Sequence, residues 1–397
     1  MSHTIVVLDA MPANRADRLR ALLPPGFVLT HGTELGEEHM KAIIRDADFA
    51  ISAQVAVSGD VLRAARQLRL LHKWGVGVDN FDVETARQLG IKVARTTGSN
   101  ALSVAEFTIG LMLSSLRFLA FGHLHLQQGV WRGISNLPAE TFLLSGKTVG
   151  IVGFGAIGQN VARLLSSFGC KILYTKRTPL ASDAASALGA TRATLSELIE
   201  TSDIVSLHCP LTPETQNMID AAALSRMKRT AILVNVARGG VVVEADLAAA
   251  LCSRTIRGAA MDVFSIEPLP ATSELIGLDN IVLTPHLAAV TADTFEPTVR
   301  RMFDNIARAH AENQCLSAIV WFKQRRSPTS CLQLAAWGVA TFTPAAGRKV
   351  TTFLRSPSLA ATDFLDLQDK RRLAQFDAAS VRQSQRTPRV PDAVPSP

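Results

Sequence analysis

Short apolar runs alternate with amphipathic stretches of helical length along most of this chain. Ile5–Leu8, Phe49–Ser52 and Leu70–Trp74 read as buried strands, and Ile91–Ala94 as a further one. A long helix is expected over about Ala101–Leu119, with Val104, Phe107, Thr108, Leu111 and Leu113 on its core face. Residues 121–145, which contain Trp131 and Pro138, show no period and read as irregular. A second series opens at Thr148–Val152 and continues through Lys171–Tyr174, Ile204–Leu207, Ala231–Val234, Gly258–Met261 and Ile281–Leu283. Its last element is a helix over about Thr291–Ala311. Strand–helix alternation of this kind predicts an α/β fold with parallel sheets. Beyond about Ser317 the pattern dissolves into Arg, Ser, Pro, Thr, Gln and Ala. Residues 317–397 are therefore expected to be a largely disordered basic tail, with a short helix near Ala361–Phe376.

With 397 residues and 47% apolar side chains, the chain is long enough for two domains. No apolar run reaches the roughly 18 residues of a membrane span, because Ile109–Phe121 is broken by Ser114, Ser115 and Arg117. The strand-like Thr4–Leu8 does not have the layout of a secretion signal. The five cysteines (Cys170, Cys209, Cys252, Cys315, Cys331) are scattered and form no CxxC pair, so neither a disulfide framework nor a metal site is expected. Together these features predict a reduced, cytoplasmic protein with no membrane partner. A net charge of +7 raises the question of nucleic acid, so its location matters. The segment from Val320 onward carries 12 basic and 5 acidic side chains, which leaves the preceding body neutral. The basicity belongs to the tail, where few aromatics are interleaved with the cations, and nucleic acid is not an expected partner.

Gly153-Phe-Gly155-Ala156-Ile157-Gly158 follows the strand Thr148–Val152 and opens an amphipathic helix over Ala156–Phe168. In a dinucleotide site of this layout, one glycine makes the tight turn and one lets the backbone approach a pyrophosphate. The third allows close helix–strand packing, and the pyrophosphate sits on the positive end of the helix dipole. Strand before and helix after give the motif the context it needs. An NAD site calls for Asp or Glu about 20 residues on, at the end of the second strand, to hold the ribose 2′-hydroxyl. Here Thr175-Lys176-Arg177-Thr178 follows that strand, and no acid comes before Asp183. A hydroxyl and cations favour the 2′-phosphate of NADP(H) through charge-assisted hydrogen bonds. NAD(H) is the alternative, with Lys176 and Arg177 as ordinary solvated charges.

Three more segments follow apolar strands: Val234-Asn-Val-Ala237-Arg238-Gly-Gly240, Ala260-Met-Asp262-Val-Phe-Ser-Ile-Glu267-Pro268 and Thr284-Pro-His286. This places Arg238, Glu267 and His286 at the carboxyl rim of a parallel sheet, where open α/β sheets bind ligands. Arginine offers a carboxylate a bidentate fork and can polarise a 2-oxygen. Histidine can take a hydroxyl proton as hydride leaves, and return it in reverse. A carboxylate on the far ring nitrogen fixes the tautomer and raises the histidine pKa. Taken singly, Arg238 also reads as an exposed loop charge, Glu267 as a helix-start residue before Pro268, and His286 as a satisfied core histidine.

The order GxGxxG, NxARGG, DVFxxEP, TPH resembles the D-2-hydroxyacid dehydrogenases, a family that includes phosphoglycerate dehydrogenases and glyoxylate/hydroxypyruvate reductases. Lys73-Trp-Gly75-Val76-Gly77-Val-Asp79-Asn80 is similar to the family's substrate-carboxylate loop, and Asn100 to its asparagine beside the substrate. Leu207-His208-Cys-Pro210-Leu-Thr-Pro-Glu-Thr215 is similar to the segment on the adenosine side. The resemblance covers about residues 1–315. It implies two doubly wound domains of Rossmann and flavodoxin type with the active site in their cleft. The substrate-binding domain would be 1–98 plus 288–316, and the cofactor domain 99–287. It also implies that Arg238 binds and polarises the substrate, that His286 is the general acid/base and that Glu267 is its partner. The backbone near Val76 and Gly77, with Asn100, would hold the substrate, while Ala237 would face the cofactor and Asp262 the nicotinamide carboxamide. A homodimer through Arg117–Ser145 would be usual. Ala53, Trp74, Val76, Leu102 and Trp131 would shape the pocket.

The expected reaction is reduction of a small 2-oxo acid of the glyoxylate or hydroxypyruvate kind to its D-2-hydroxy acid. The missing acid after Tyr174 is similar to the NADPH-preferring reductases, and Glu267 stands where formate-oxidising relatives carry glutamine. An NAD-linked phosphoglycerate dehydrogenase is the alternative within the fold; it needs cations around the cleft, of which Lys73 is the one the sequence places there. A nucleotide-sensing corepressor is the alternative outside catalysis. The tail reads as foreign to the family, as an out-of-frame translation of GC-rich DNA would.

Overall fold

The structure is a computed structural model that describes residues 2–131 and 137–311. The expectations for the tail, including the short helix near Ala361–Phe376, fall outside the described residues. The first lobe runs β1 (His3–Ala10), α1 (Ala13–Arg20), β2 (Phe27–Gly32), α2 (Glu37–Ile44), β3 (Phe49–Ser52), α3 (Gly59–Ala64), β4 (Leu70–Lys73), α4 (Val83–Gln88) and β5 (Lys92–Arg95). Its strands form a parallel sheet in the order β2-β1-β3-β4-β5. Alternate residues serve opposite faces, as the two-residue period of a strand requires. Val6, Leu8, Ala50 and Leu71 pack against α2 and α3, whereas Ile5, Val7, Phe49, Ile51 and Leu70 pack against α1 and a helix from the far end of the fold.

The second lobe contains α5 (Ala101–Arg117), α6 (Leu119–Gln127), β6 (Thr148–Val152), α7 (Ala156–Ser166), β7 (Lys171–Thr175), α8 (Ser182–Ser186), β8 (Ala190–Arg192), α9 (Leu195–Thr201) and β9 (Ile204–Leu207). It continues through α10 (Ala221–Arg226), β10 (Ile232–Asn235), α11 (Glu244–Cys252), β11 (Gly258–Met261) and β12 (Ile281–Leu283), before α12 (Ala292–His310) ends the described chain. The sheet is again parallel, in the order β12-β11-β10-β9-β6-β7-β8. Both lobes are doubly wound. α12 returns to the first lobe, burying Val299, Met302, Phe303 and Ile306 beside Ile5 and Phe49. Each such side chain stabilises the docking by about 1.5–3 kcal/mol, which decides to which sheet this helix belongs.

Three elements differ from the sequence reading. β2 and β8 are edge strands with exposed or half-exposed Val28, Thr30, Thr191 and Arg192, so no apolar run marks them. α6 occupies part of the stretch read as irregular; it buries no residue, so it has no apolar face to detect. It is set at 69° to α5 across Phe118, whose left-handed φ of 53° ends the first helix. Arg257 anchors this corner from inside, with its guanidinium donating to Ser115 O, Leu116 O and Glu140 O between the rings of Phe118 and Phe142. No single helix among the described residues is long and apolar enough to cross a membrane.

Candidate active site

The strand order sets the site. β6 and β9 are neighbours whose connections leave in opposite directions, and ligands bind at the carboxyl edge of such a switch point. His208 N donates to Val152 O at 2.7 Å, and Gly153 N donates to Thr175 O at 3.0 Å, so the loops after β6, β7 and β9 start level.

Each glycine of the loop has its own reason. Gly153 has φ 93°, and a Cβ there would lie 2.5 Å from Cys209 N. On Gly158 a Cβ would lie 2.5 Å from Gly153 O, separating α7 from the strand. At Gly155, however, nothing lies within 4 Å of the added Cβ position. The protein's own packing does not call for glycine at Gly155, whereas close approach of a ligand does. The N-terminal amides of α7, beginning at Ala156 and Ile157, adjoin that open space without an acid in the first turn. The donors and the room fit a dinucleotide pyrophosphate.

Lys176 and Arg177 follow β7 without an ion pair among the described residues. The Glu214 carboxyl lies below its ordinary pKa chiefly through a bond from Thr212, with the charge of Arg177 contributing. Arg177 thus faces the loop that follows β9. In that loop the Thr215 hydroxyl gives its only proton to Pro210 O at 2.7 Å, which leaves it able only to accept. The sequence reading made Thr215 a cofactor contact; the structure uses it first to close its own loop. His208 bonds Ser206 Oγ through Nε2 at 2.8 Å, and its buried Nδ1 has no partner among the described residues. Burial pushes the ring down to about 3, so it is neutral at working pH.

A cleft of about 590 Å³ lies between the carboxyl ends of the two sheets. It brings Val76, Gly77, Asn100, Ile157, His208, Pro210, Ala237, Arg238, Asp262 and His286 to one wall or another. Ala53 and Trp74 also line it. Leu102 and Trp131 do not, being 53% and 84% exposed elsewhere. Among the described residues, no acceptor takes the N–H of Val76 or Gly77, which leaves them available to a carboxylate. The Asn100 Oδ1 is likewise buried and unpartnered.

Arg238 crosses the cleft to the first lobe. Its Nε donates to both oxygens of Asp79, at 3.1 and 3.0 Å, and its Nη1 to Ala237 O at 2.8 Å. The guanidinium lies so close over Gly77 that a Cβ there would be 1.8 Å from Nη2. Gly77 is therefore glycine because Arg238 occupies the side-chain volume. The sequence motif assigns Asp79 no role of its own; a carboxylate two residues beyond the loop amides is the signal it offers.

His286 Nδ1 bonds Glu267 Oε2 at 2.7 Å, while Glu267 Oε1 accepts from Phe264 N at 2.9 Å. Burial raises the Glu267 pKa, but the bonds from His286 and Phe264 and the charge of Arg238 outweigh it and hold the carboxyl below its usual value. Glu267 does not line the cleft and acts from behind the ring. His286 has φ 53°, a conformation that costs a non-glycine residue about 1 kcal/mol or more and needs support. Asp262 supplies it: fully buried, it accepts Thr284 Oγ1 at 2.6 Å, Leu287 N at 2.9 Å and Ala288 N at 2.9 Å. The sequence reading assigned Asp262 only to the cofactor; its main observed use is to hold the loop that carries His286.

Comparison with known proteins agrees with this geometry. Residues 109–288 match the family profile described as D-isomer specific 2-hydroxyacid dehydrogenase, NAD binding domain. A hydroxypyruvate reductase from Thermotoga maritima is 37% identical over 264 residues, covering 65% of this chain and 83% of that one. A D-3-phosphoglycerate dehydrogenase from Methanocaldococcus jannaschii is 38% identical, but the chain spans only 49% of its length. The NADPH-dependent glyoxylate/hydroxypyruvate reductase of Sinorhizobium meliloti, solved with NADP and malonate, has a TM-score of 0.70 at 30% identity over 81% of this chain and 97% of that one. With a glycine loop that has room for a dinucleotide, Arg238 and His286 lining one cleft with Glu267 behind the ring, and relatives of this identity over most of their length, the chain belongs to the D-2-hydroxyacid dehydrogenase family, whose chemistry is nicotinamide-dependent hydride transfer on 2-hydroxy acids.

Proposed function

We propose that the protein is an NADPH-dependent reductase of small 2-oxo acids of the glyoxylate/hydroxypyruvate kind. The observation that carries the cofactor preference is the end of β7, where Thr175, Lys176 and Arg177 stand and no carboxylate does. An acid there would repel a 2′-phosphate, whereas these side chains attract it. The amides of α7 at Ala156 and Ile157 would hold the pyrophosphate, with His208, Pro210 and Ala237 along the remaining wall. When bound, the reduced nicotinamide supplies a hydride to C2 of the substrate.

The chain's own residues do the rest. The amides of Val76 and Gly77 take the substrate carboxylate, and Arg238, held by Asp79 through Nε, turns its remaining N–H groups to the carboxylate and the 2-oxygen. Polarising that oxygen stabilises the charge that develops on it. His286 faces the cleft with Nε2 because Nδ1 is engaged by Glu267, and from Nε2 it donates a proton to the 2-oxygen. Glu267 stabilises the charged ring before the transfer. We divide the chain accordingly into a substrate-binding domain of 1–98 plus 288–316 and a cofactor domain of 99–287. We also propose a homodimer through the segment 117–145, where Leu119, Leu124, Leu126 and Leu143 are more than half exposed.

The test is oxidation of NADPH and NADH with glyoxylate and hydroxypyruvate, side by side, for the wild type and Arg177→Ala. The expected result is NADPH preference that falls about tenfold or more in the variant, the worth of one charge-assisted bond. NADH preference untouched by the substitution would overturn the assignment.

A further inference from the structure

Arginines of the first lobe generally find a carboxylate: Arg20 pairs with Asp17 at 2.7 Å, Arg63 with Asp60 at 2.6 Å and Arg69 with Asp48 at 3.1 Å. The two that line the cleft do not. Among the described residues, Arg15 and Arg95 have no carboxylate within ion-pair distance. Arg95 donates to Val76 O, at 3.3 Å, and Arg15 holds its guanidinium 5.2 Å from the centre of the Trp74 ring. The acids on the same wall are already committed. Asp9 accepts from Ala53 N, Gln54 N and Val55 N at 2.6, 2.7 and 3.1 Å, and Asp79 is paired with Arg238. Lys73, 6% exposed, adds a third cation, held by the carbonyl of Ala53 and by Asn80 Oδ1 at 2.8 Å. A monoanionic acid bound by Arg238 and the amides of Val76 and Gly77 would leave this positive wall uncompensated.

We propose that the cleft contains a second anion site, with Arg15 on its Trp74 platform and Arg95 reading a carboxylate or phosphate carried beyond C2 of the substrate. The inference rests on the 2-oxo-acid reading above and extends it beyond glyoxylate and hydroxypyruvate, which carry one charge, to 2-oxo acids with a second anionic group, which the cleft would bind more tightly. A guanidinium held over an indole at cation–π distance is partly pre-organised, so an arriving anion orders less that was free before.

Calorimetry on the full chain loaded with NADPH separates binding from turnover, since a reduced cofactor and a 2-hydroxy acid cannot react. The probes are D-lactate (one charge), D-malate (a second carboxylate) and D-3-phosphoglycerate (a phosphate). At least one of the two acids with a second anionic group is expected to bind about tenfold tighter than D-lactate, a gap that narrows with added salt. Tightening confined to one of them assigns the site to that group, carboxylate or phosphate. In Arg15→Gln the gap is expected to shrink to about threefold or less, whereas Arg18→Gln should keep it; Arg18 is on the same helix, over Phe295 at 4.0 Å and outside the cleft. Equal dissociation constants for all three acids, or an unchanged gap in Arg15→Gln, would overturn the site. Absence of turnover with every 2-oxo acid, with the binding gap intact, would instead remove the reductase reading and leave the anion site standing.

Discussion

Acidification should weaken this fold through one buried histidine that takes no part in the chemistry. His72 lies in β4 and is fully buried. Its Nδ1–H donates to Lys73 O at 2.9 Å, and its Nε2 accepts from Asn305 Nδ2 at 3.1 Å. The Asn305 amide cannot turn over to accommodate a proton on Nε2, because its Oδ1 is taken by Arg308 at 2.6 Å. Burial accordingly pushes the ring down to about 4. In the unfolded chain a histidine titrates near 6.5. The depressed folded value favours the neutral ring, so its contribution is intact above about pH 6.5 and is lost as the pH falls toward 4. The difference of about 2.5 units corresponds to about 3 kcal/mol in full, of which about 2 kcal/mol is gone by pH 5. Urea unfolding from about pH 7 to about pH 5, for wild type and His72→Leu, measures this. The variant should be less stable at neutral pH by about 1–3 kcal/mol, because it leaves the Asn305 amide without an acceptor. Its disadvantage should shrink by about 2 kcal/mol on acidification, as only the wild type has His72 to protonate. His208 titrates in both chains and cancels. Stability curves that stay parallel across this range would refute the reasoning.

Glu267→Gln should lower kcat by about ten- to a hundredfold at unchanged melting temperature, since the carboxylate that orients the His286 ring through Nδ1 and stabilises its charge is gone; a kcat within about twofold of wild type would disprove the pairing. Gly155→Ala should leave the melting temperature within error while weakening nicotinamide cofactor binding about tenfold, because its added methyl meets only the space reserved for ligand. Gly158→Ala should instead lower the melting temperature as well, its methyl meeting Gly153 O at 2.5 Å; scanning calorimetry with cofactor titration distinguishes the two. Arg257→Met should destabilise the chain by about 2–4 kcal/mol by stranding buried carbonyls, and Arg257→Lys should not rescue it, since one ammonium cannot span Ser115, Leu116 and Glu140; chemical unfolding decides.

The central strands, the glycine loop, the cations after β7 and the sequence order of Arg238, Glu267 and His286 were all legible in the sequence. Those features are local: a strand buried on both faces writes itself as an apolar run, and a tight turn requires its glycine wherever the chain goes next. The edge strands β2 and β8 and the exposed helix α6 were not legible, because an element that buries little leaves little hydrophobic pattern. Nor could the sequence assign Asp79 to Arg238, since these residues are 159 positions apart and meet only because two sheets face each other across the cleft. The left-handed turn at His286, held by Asp262, and the placement of Arg15 over Trp74 are likewise set by which neighbours the fold supplies. The residue types for the chemistry are written locally; their partners are fixed by the strand order and the docking of α12, which act over distances no short motif records.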